Sequence, residues 1–161
     1  MRSVLTAASL ALSLASPISA RAQSALAIEA GFLTAFEESV FQVGIRSTSV
    51  KTGGVGVDFA LATFPEAVIE GVFFLMPNLD LTTAVPVGPR AWLMPRFGVS
   101  ALVGAGEGGA GAVAGFNLGI GLIGRMGERM GARMDVTYQR YVGGGSSVGF
   151  TALTFGVAWM Q

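Results

Sequence analysis

Seven ionisable residues occur within otherwise apolar segments, where charge is unexpected. They comprise four acids and three arginines: Glu29, Arg46, Asp58, Asp80, Arg96, Arg133 and Asp135. Side chains of a β-strand alternate between its two faces, so their spacing places all seven opposite the large apolar residues, on one inward face. Buried carboxylates can act as general acids and bases or form an ion pathway. They can also pair with arginine, whose planar guanidinium can hold two carboxylates, and we expect this second arrangement, an ion-pair network filling the interior.

Other motifs that resemble catalytic sites lack necessary partners. The sequence contains no histidine and no cysteine, which excludes a Ser-His-Asp triad and a zinc–thiolate site. Residues 145–149 match G-x-S-x-G in letters only, and the G-x-G-x-x-G matches at 104–109 and 119–124 are expected by chance among 24 glycines. We therefore expect no catalytic residues, no cofactor and no metal site, and predict that the protein is not an enzyme.

The composition favours one apolar domain. Of the 161 residues, 52% are hydrophobic and only 12% are charged, against about 25% in typical soluble domains. The formal net charge is zero, so electrostatics give no reason to expect nucleic acid as a partner.

The first 22 residues have the features of an export signal. Arg2 provides a positive charge, residues 4–15 form a short apolar segment, and residues 20–22 read Ala-Arg-Ala. We expect cleavage after Ala22, with Ala20 as the alternative, because the apolar segment is too short to span a bilayer comfortably. The predicted organisation is a signal peptide at residues 1–22 and one domain at residues 23–161.

The exported part alternates large apolar residues with small or polar ones, which predicts β-strands. The pattern is clearest at the end of the chain, where Leu153, Phe155, Val157 and Trp159 alternate with small or weakly polar residues. The eight predicted strands cover residues 28–36, 41–46, 55–62, 79–85, 93–101, 112–123, 133–139 and 148–161. Residues 108–124 also fit a transmembrane helix with G-x-x-x-G spacing, but Asn117 and the cost of glycine in helices favour a strand.

Eight strands with a lipid-facing surface must close into a barrel, because an unpaired edge finds no water in a bilayer. Such a barrel has an interior just wide enough for side chains, and inward glycines relieve the crowding. Charged, glycine or proline residues at 37–39, 51–54, 88–89, 104–111, 124–129 and 143–147 separate the strands, with residues 64–78 as the longest loop. We expect the connections at 51–54, 88–89 and 124–129 to be the short periplasmic ones.

Two local features follow from the barrel prediction. Proline donates no ladder hydrogen bond, so we expect Pro86 and Pro95 at strand ends or bulges, or else the limits of the fourth and fifth strands to differ by a few residues from those predicted above. Aromatic residues near strand ends are candidates for the girdles of a membrane barrel. These candidates are Trp92, Trp159, Phe41, Phe150, Tyr138 and Tyr141.

The glycine-rich segment at residues 115–141 and the final LTFGVAWMQ carry a family resemblance. In them the chain resembles the small outer-membrane β-barrel domain family, most of all the OmpA/OmpX-type eight-stranded barrels. The resemblance implies an all-β fold, an eight-stranded antiparallel up-and-down transmembrane β-barrel preceded by a cleavable signal peptide, in the bacterial outer membrane.

The resemblance also implies partners. These are outer-membrane lipids and the barrel-assembly machinery, which would recognise the final strand through Leu153, Phe155, Val157 and Trp159. The family's signal usually ends on an aromatic residue at the last position, whereas Met160 and Gln161 follow Trp159 here.

The family has no single activity, and three functions fit the sequence. We expect a non-enzymatic structural or surface-interaction protein, whose ligand, unidentified, would contact the loops at 64–78 and 104–111. The alternatives are a narrow outer-membrane channel and a soluble periplasmic barrel that binds a small apolar ligand, with its large side chains turned inward.

Overall fold

The computed structural model describes residues 23–35, 38–143 and 145–161, which form nine strands and one short helix. The predicted signal peptide at residues 1–22 lies outside the described residues. The elements are β1 (Gln23–Ala35), β2 (Glu38–Val50), β3 (Val55–Thr63), α1 (Pro65–Ile69), β4 (Phe73–Thr83), β5 (Val85–Gly88), β6 (Ala91–Gly106), β7 (Gly109–Arg125), β8 (Met130–Gly143) and β9 (Ser146–Met160).

The strands form a closed antiparallel barrel. Consecutive strands pair with each other except at β4, which pairs with β6 instead of β5, and β1 pairs with β9 from Ala25–Met160 to Thr34–Thr151. The short β5 follows β4 along the same side of β6, so the barrel has eight positions and one extra strand. The predicted eight-stranded barrel is confirmed, and the helical alternative for residues 108–124 is wrong because β7 occupies them.

The strands are longer than predicted and the connections are correspondingly shorter. Residues 38 and 39, predicted to separate strands, belong to β2 and pair with Ala35 and Thr34 of β1. The predicted loop at 104–111 is a turn at 107–108, because Gly104 pairs with Gly111 and Gly106 with Gly109. The predicted loop at 64–78 ends at residue 72 and contains α1. The ladder is made by backbone groups, so glycine-rich segments continue it once their neighbours fix the register.

Proline residues coincide with interruptions of the ladder. Pro95 lies inside β6 and pairs with Ile120 on β7, while on its other side Ala84 separates β4 from β5. Pro86 lies in β5 beside a register shift. The prediction of a strand end is therefore wrong for Pro95, which lies inside β6. One neighbouring strand breaks beside it, and this suits a residue without an amide hydrogen.

The outer face of the barrel is apolar. Large hydrophobic side chains there are half exposed, among them Ile28 (57%), Phe97 (61%), Leu118 (62%) and Phe155 (54%). The soluble alternative with inward-facing large residues is therefore wrong. No helix among the described residues is long and apolar enough to cross a bilayer.

The interior is layered, and two apolar clusters close its ends. We call the end where β1 begins and β9 finishes the termini end, and the opposite end, which carries α1, the mouth end. A lower apolar cluster fills the termini end: Ala25, Ala84, Met94, Ile123 and Met160. An upper apolar cluster fills the mouth end: Leu33, Phe64, Met76, Tyr141 and Ala152.

Half of the predicted girdle residues face inward instead. Trp159 and Tyr138 lie on the outer face, and Phe41 packs edge to face on the outward Phe32 with ring centres 5.8 Å apart. The prediction is wrong for three aromatics, which join the interior apolar clusters. Trp92 packs on the lower cluster, and Tyr141 and Phe150 belong to the upper one.

The outer face gives a direct stability test. Leu118 lies in the middle of β7, whereas Met126 lies in the turn after it, and both are 62% exposed. We expect Leu118→Arg to lower the free energy of unfolding by about 2–4 kcal/mol, because arginine must enter hydrocarbon. The control Met126→Arg, at the interface, should cost less than about 1 kcal/mol. Urea unfolding in phospholipid vesicles measures both, and equal costs would contradict a lipid-facing β7.

Candidate functional site

Seven charged side chains meet inside the barrel, between the two apolar clusters. They come from six strands, and each is at most 6% exposed. Together they form what we call the charge cluster: Glu29 on β1, Arg46 on β2, Asp58 on β3, Asp80 on β4, Arg96 on β6, and Arg133 and Asp135 on β8. These are the seven residues that the alternation places on the inward face, and the structure brings all of them together.

Two arginines share two carboxylates at one side of the cluster. Arg46 Nε donates to Glu29 Oε1 at 2.9 Å and to Oε2 at 3.0 Å, and its Nη1 donates to Asp58 Oδ1 at 2.5 Å. Arg133 reaches the same pair, with Nε 3.2 Å from Glu29 Oε1 and Nη2 3.1 Å from Asp58 Oδ2. Glu29 and Asp58 therefore each have two arginine partners.

Asp135 connects this group to the third arginine. It accepts hydrogen bonds from Arg133 Nε at 2.6 Å (at Oδ2) and Nη2 at 3.0 Å (at Oδ1), and Arg96 Nη1 also donates to Oδ1. Arg96 Nη2 also donates to the Thr137 hydroxyl at 2.5 Å. The three arginines and these carboxylates thus form one connected network.

Asp80 is the exception within the cluster. Its nearest arginine contact is Arg96 Nε, 3.6 Å from Oδ2, and its Oδ1 has no hydrogen-bond partner among the described residues. Asp80 is also the cross-strand partner of Asp58, and like charges placed opposite one another repel. Four carboxylates against three arginines leave a formal charge of −1, and Asp80 is the carboxylate with the weakest arginine contact.

Glycines on intervening strands allow the ion pairs to cross. Gly156 on β9 pairs with Glu29 on one side and Arg133 on the other, and a Cβ there would lie 2.9 Å from Glu29 Cγ. Gly119 on β7 pairs with Arg96 and Thr137 in the same way. In both places the missing side chain lets groups two strands apart meet above the glycine.

The sequence reasoning missed the uncharged residues that complete the network. The Thr48 hydroxyl donates to Asp58 Oδ2 and accepts from Arg133 Nη1 at 2.5 Å. Thr48 lies beyond the predicted end of its strand, and Asn78 was assigned to a loop, so neither was considered. The alternation of inward and outward side chains does indicate that the remaining polar residues face inward. A layer of buried amides and hydroxyls lies between the cluster and the upper apolar cluster: Gln42, Asn78, Ser100, Asn117 and Gln139.

The arrangement is better suited to holding charge than to moving protons. Asp58 and Asp135 each accept from two guanidinium groups, and Glu29 accepts from Arg46 and forms an ion pair with Arg133, which leaves little capacity to accept a substrate proton. The described residues contain no group of three or more His, Cys, Asp or Glu side chains placed to hold a metal ion. The cavity beside the cluster has a volume of about 20 Å³ and is lined by Glu29, Arg46, Asn78 and Gln139 among others. That is room for about one water molecule.

The unequal pairing of Asp58 and Asp80 predicts unequal costs for the same substitution. Both are at most 1% exposed and lie opposite each other. Asp58→Asn removes the charge that faces two arginines and should lower the free energy of unfolding by about 3–5 kcal/mol. Asp80→Asn, the matched control, removes the excess charge and should cost less than about 1 kcal/mol. Urea titrations of both variants in the same lipid decide this, and similar losses would contradict the geometry.

Comparison of sequences finds no match, but comparison of structures identifies the fold. No protein-family model matches the chain, and no curated protein matches it. The N-terminal β-barrel domain of Pseudomonas aeruginosa OprF is similar to it, with a TM-score of 0.66 and 16% identity over 88% of this chain and 100% of that domain.

Two further solved structures are similar at lower scores. Neisserial surface protein A (NspA) has a TM-score of 0.57 and 9% identity, over 85% of this chain and 95% of that one. Ail, the attachment invasion locus protein of Yersinia pestis, in complex with the heparin analogue sucrose octasulfate, has a TM-score of 0.55 and 12% identity, over 87% of this chain and 99% of that one. The chain therefore has the fold of the eight-stranded outer-membrane β-barrels.

Proposed function

We propose that this chain is an integral β-barrel protein of the bacterial outer membrane, with a structural or surface-interaction role, a sealed interior and no catalytic activity. The observation that carries the proposal is the charge cluster, whose side chains fill the cross-section of the barrel at mid-height. The neighbouring cavity of about 20 Å³ is too small for a hydrated ion. In this reading the cluster plugs the lumen.

An outer-membrane location is supported by the outer face and by the fold. In the closed barrel, which exposes Ile28, Phe97 and Leu118 on its outer face, the strands make their ladder hydrogen bonds with one another, as a bilayer requires. Lipids of that membrane would be the permanent partners of the outer face. Export to this membrane fits the signal sequence at residues 1–22, and in barrels of this type the termini end faces the periplasm.

A surface role would reside in the mouth end. Four described acidic residues lie there: Glu38, Glu66, Glu70 and Glu107. The Ail structure contains a highly sulfated sugar analogue. The acidic mouth end of this chain would repel such an anion, so we expect its surface ligand to be neutral or cationic.

The final strand supports a role in assembly. Leu153, Phe155, Val157 and Trp159 form its outward face, each about half exposed. Met160, which follows them, is buried in the lower apolar cluster. We propose that this outward face is what the barrel-assembly machinery recognises.

Conductance tests the sealed interior and distinguishes it from the channel alternative. Purified protein in planar bilayers should give no large, steady single-channel currents, because arginine–carboxylate pairs occupy the lumen. The double variant Arg46→Ala/Arg133→Ala removes two of the three arginines and serves as the opened control, provided that its gel mobility shows a folded barrel. Large, steady currents from the unchanged protein would refute a plugged lumen.

The assembly proposal predicts an effect specific to the last strand. Phe155→Ala/Trp159→Ala should reduce the yield of folded barrel with reconstituted assembly machinery several-fold. Phe97→Ala/Phe116→Ala, which also removes two outward aromatics, should reduce it much less. Both pairs should fold at similar rates into pure lipid vesicles. Equal losses with the machinery would show that the last strand carries no special signal.

A further inference from the structure

The mouth end contains a cavity that the charge cluster does not use. It has a volume of about 400 Å³, within the range of about 300–1,000 Å³ that is typical of ligand pockets. We call it the mouth pocket. Its walls and floor are mostly apolar: Leu33, Phe64, Phe74, Met76, Leu102 and Phe150.

Contacts of Tyr141 with its neighbours form the layer beneath the mouth pocket. The Tyr141 hydroxyl donates to Gln139 Oε1 at 2.9 Å and lies 3.5 Å from Met76 Sδ. Phe150 packs edge to face on Tyr141, with ring centres 5.8 Å apart. These contacts separate the mouth pocket from the amide layer below, so the cavity does not lead into the charge cluster.

Helix α1 and the residue that follows it provide one side of the pocket, and Glu66 and Glu70 are its only charged lining residues within the part of the chain that the structure describes. Ala67 faces the cavity, and Glu66 and Glu70 lie at its rim, where both are exposed. The helix ends in a capping hydrogen bond from Val72 N to Ala67 O at 2.9 Å, made possible by Gly71 with a φ of 79°. No ion pair joins either rim carboxylate to a basic residue of the described chain.

The charge distribution along the barrel also favours a cation at the mouth end. The connections at the termini end carry four basic residues and one acid: Lys51, Arg90, Arg125, Arg129 and Glu128. The mouth end carries the four acids named above and one base, Arg140, which lies on the outward face of β8 and donates to Ser147 Oγ at 2.9 Å. The field of the whole barrel therefore favours a positive group at the mouth.

We propose that the mouth pocket binds a small lipophilic amine, with the apolar body in the cavity and the protonated amine between Glu66 and Glu70. The volume sets the size of the apolar body, and the two rim carboxylates select the charge. A neutral molecule of the same shape gains only the apolar contacts, and an anion is repelled. Such binding depends on neither the sealing of the lumen nor the absence of catalysis, so this proposal and the proposed function fail independently.

A fluorescent pair of ligands tests the proposal. Dansylcadaverine carries a protonated amine, and N-pentyl dansylamide is its neutral counterpart with the same aromatic body. Protein in phosphatidylcholine nanodiscs should bind the amine with higher affinity than the neutral compound, after subtraction of the signal from empty nanodiscs. The preference should decline as salt is raised, because the rim carboxylates are exposed.

Three variants locate the site. Glu66→Gln/Glu70→Gln should weaken binding of the amine by roughly fivefold for each carboxylate removed and leave the neutral compound unaffected. Glu107→Gln, the matched control, removes an acid at the same end that does not line the pocket and should change the affinity less than twofold. Ala67→Trp should weaken binding of both compounds, because the larger side chain occupies part of the cavity. A heat-dependent gel shift checks that each variant folds.

Several results would overturn the proposal. They are equal affinity for the amine and the neutral compound, an effect of Glu107→Gln as large as that of the rim pair, or unchanged binding by Ala67→Trp. Binding no stronger than to empty nanodiscs would overturn it as well.

Discussion

The pairing of β1 with β9 is the interaction on which the rest of the structure depends. In a bilayer no water can satisfy an open strand edge, so the apolar outer face is tolerable only if the ladder closes on itself. Closure with eight strands in turn fixes a narrow interior, which side chains must fill. The layered interior, with apolar clusters at both ends and charge between them, is the solution that this chain adopts.

The charge cluster fills the narrow interior, and its ion pairs also depend on the register of the strands. Buried charges are costly unless paired, and here pairing requires arginines to reach past intervening strands. Gly119 on β7 and Gly156 on β9 provide the room. The arginines of β6 and β8 can therefore make their ion pairs only because these neighbouring positions have no side chain. A slip of one residue in β6 or β8 would turn an arginine of the cluster toward the outer face. The cluster thus specifies register, a role that requires no net gain in stability.

Much of the fold could be predicted from alternation because a barrel in lipid imposes the same two-residue rule on every strand. The rule located the seven inward charges and the glycine clearance. It could not locate strand ends, because glycine-rich segments such as 104–111 carry no side-chain pattern and are ordered by their neighbours. The assignment of Trp92, Phe150 and Tyr141 to the girdles ignored the rule, since alternation places all three inward. The mouth pocket could not be predicted, because it depends on how α1 packs over the barrel.

The central claim is that the outer face meets lipid while the charges fill the interior. Its most direct test uses nitroxide labels on single cysteines, for which the chain has no competing thiol. Labels at positions 153, 155 and 157 in vesicles should collide with dissolved oxygen far more often than with a water-soluble nickel chelate. A label at Met126, in the turn, should show the opposite preference. High nickel accessibility at 153, 155 and 157 would mean that water covers this face, which would contradict the account.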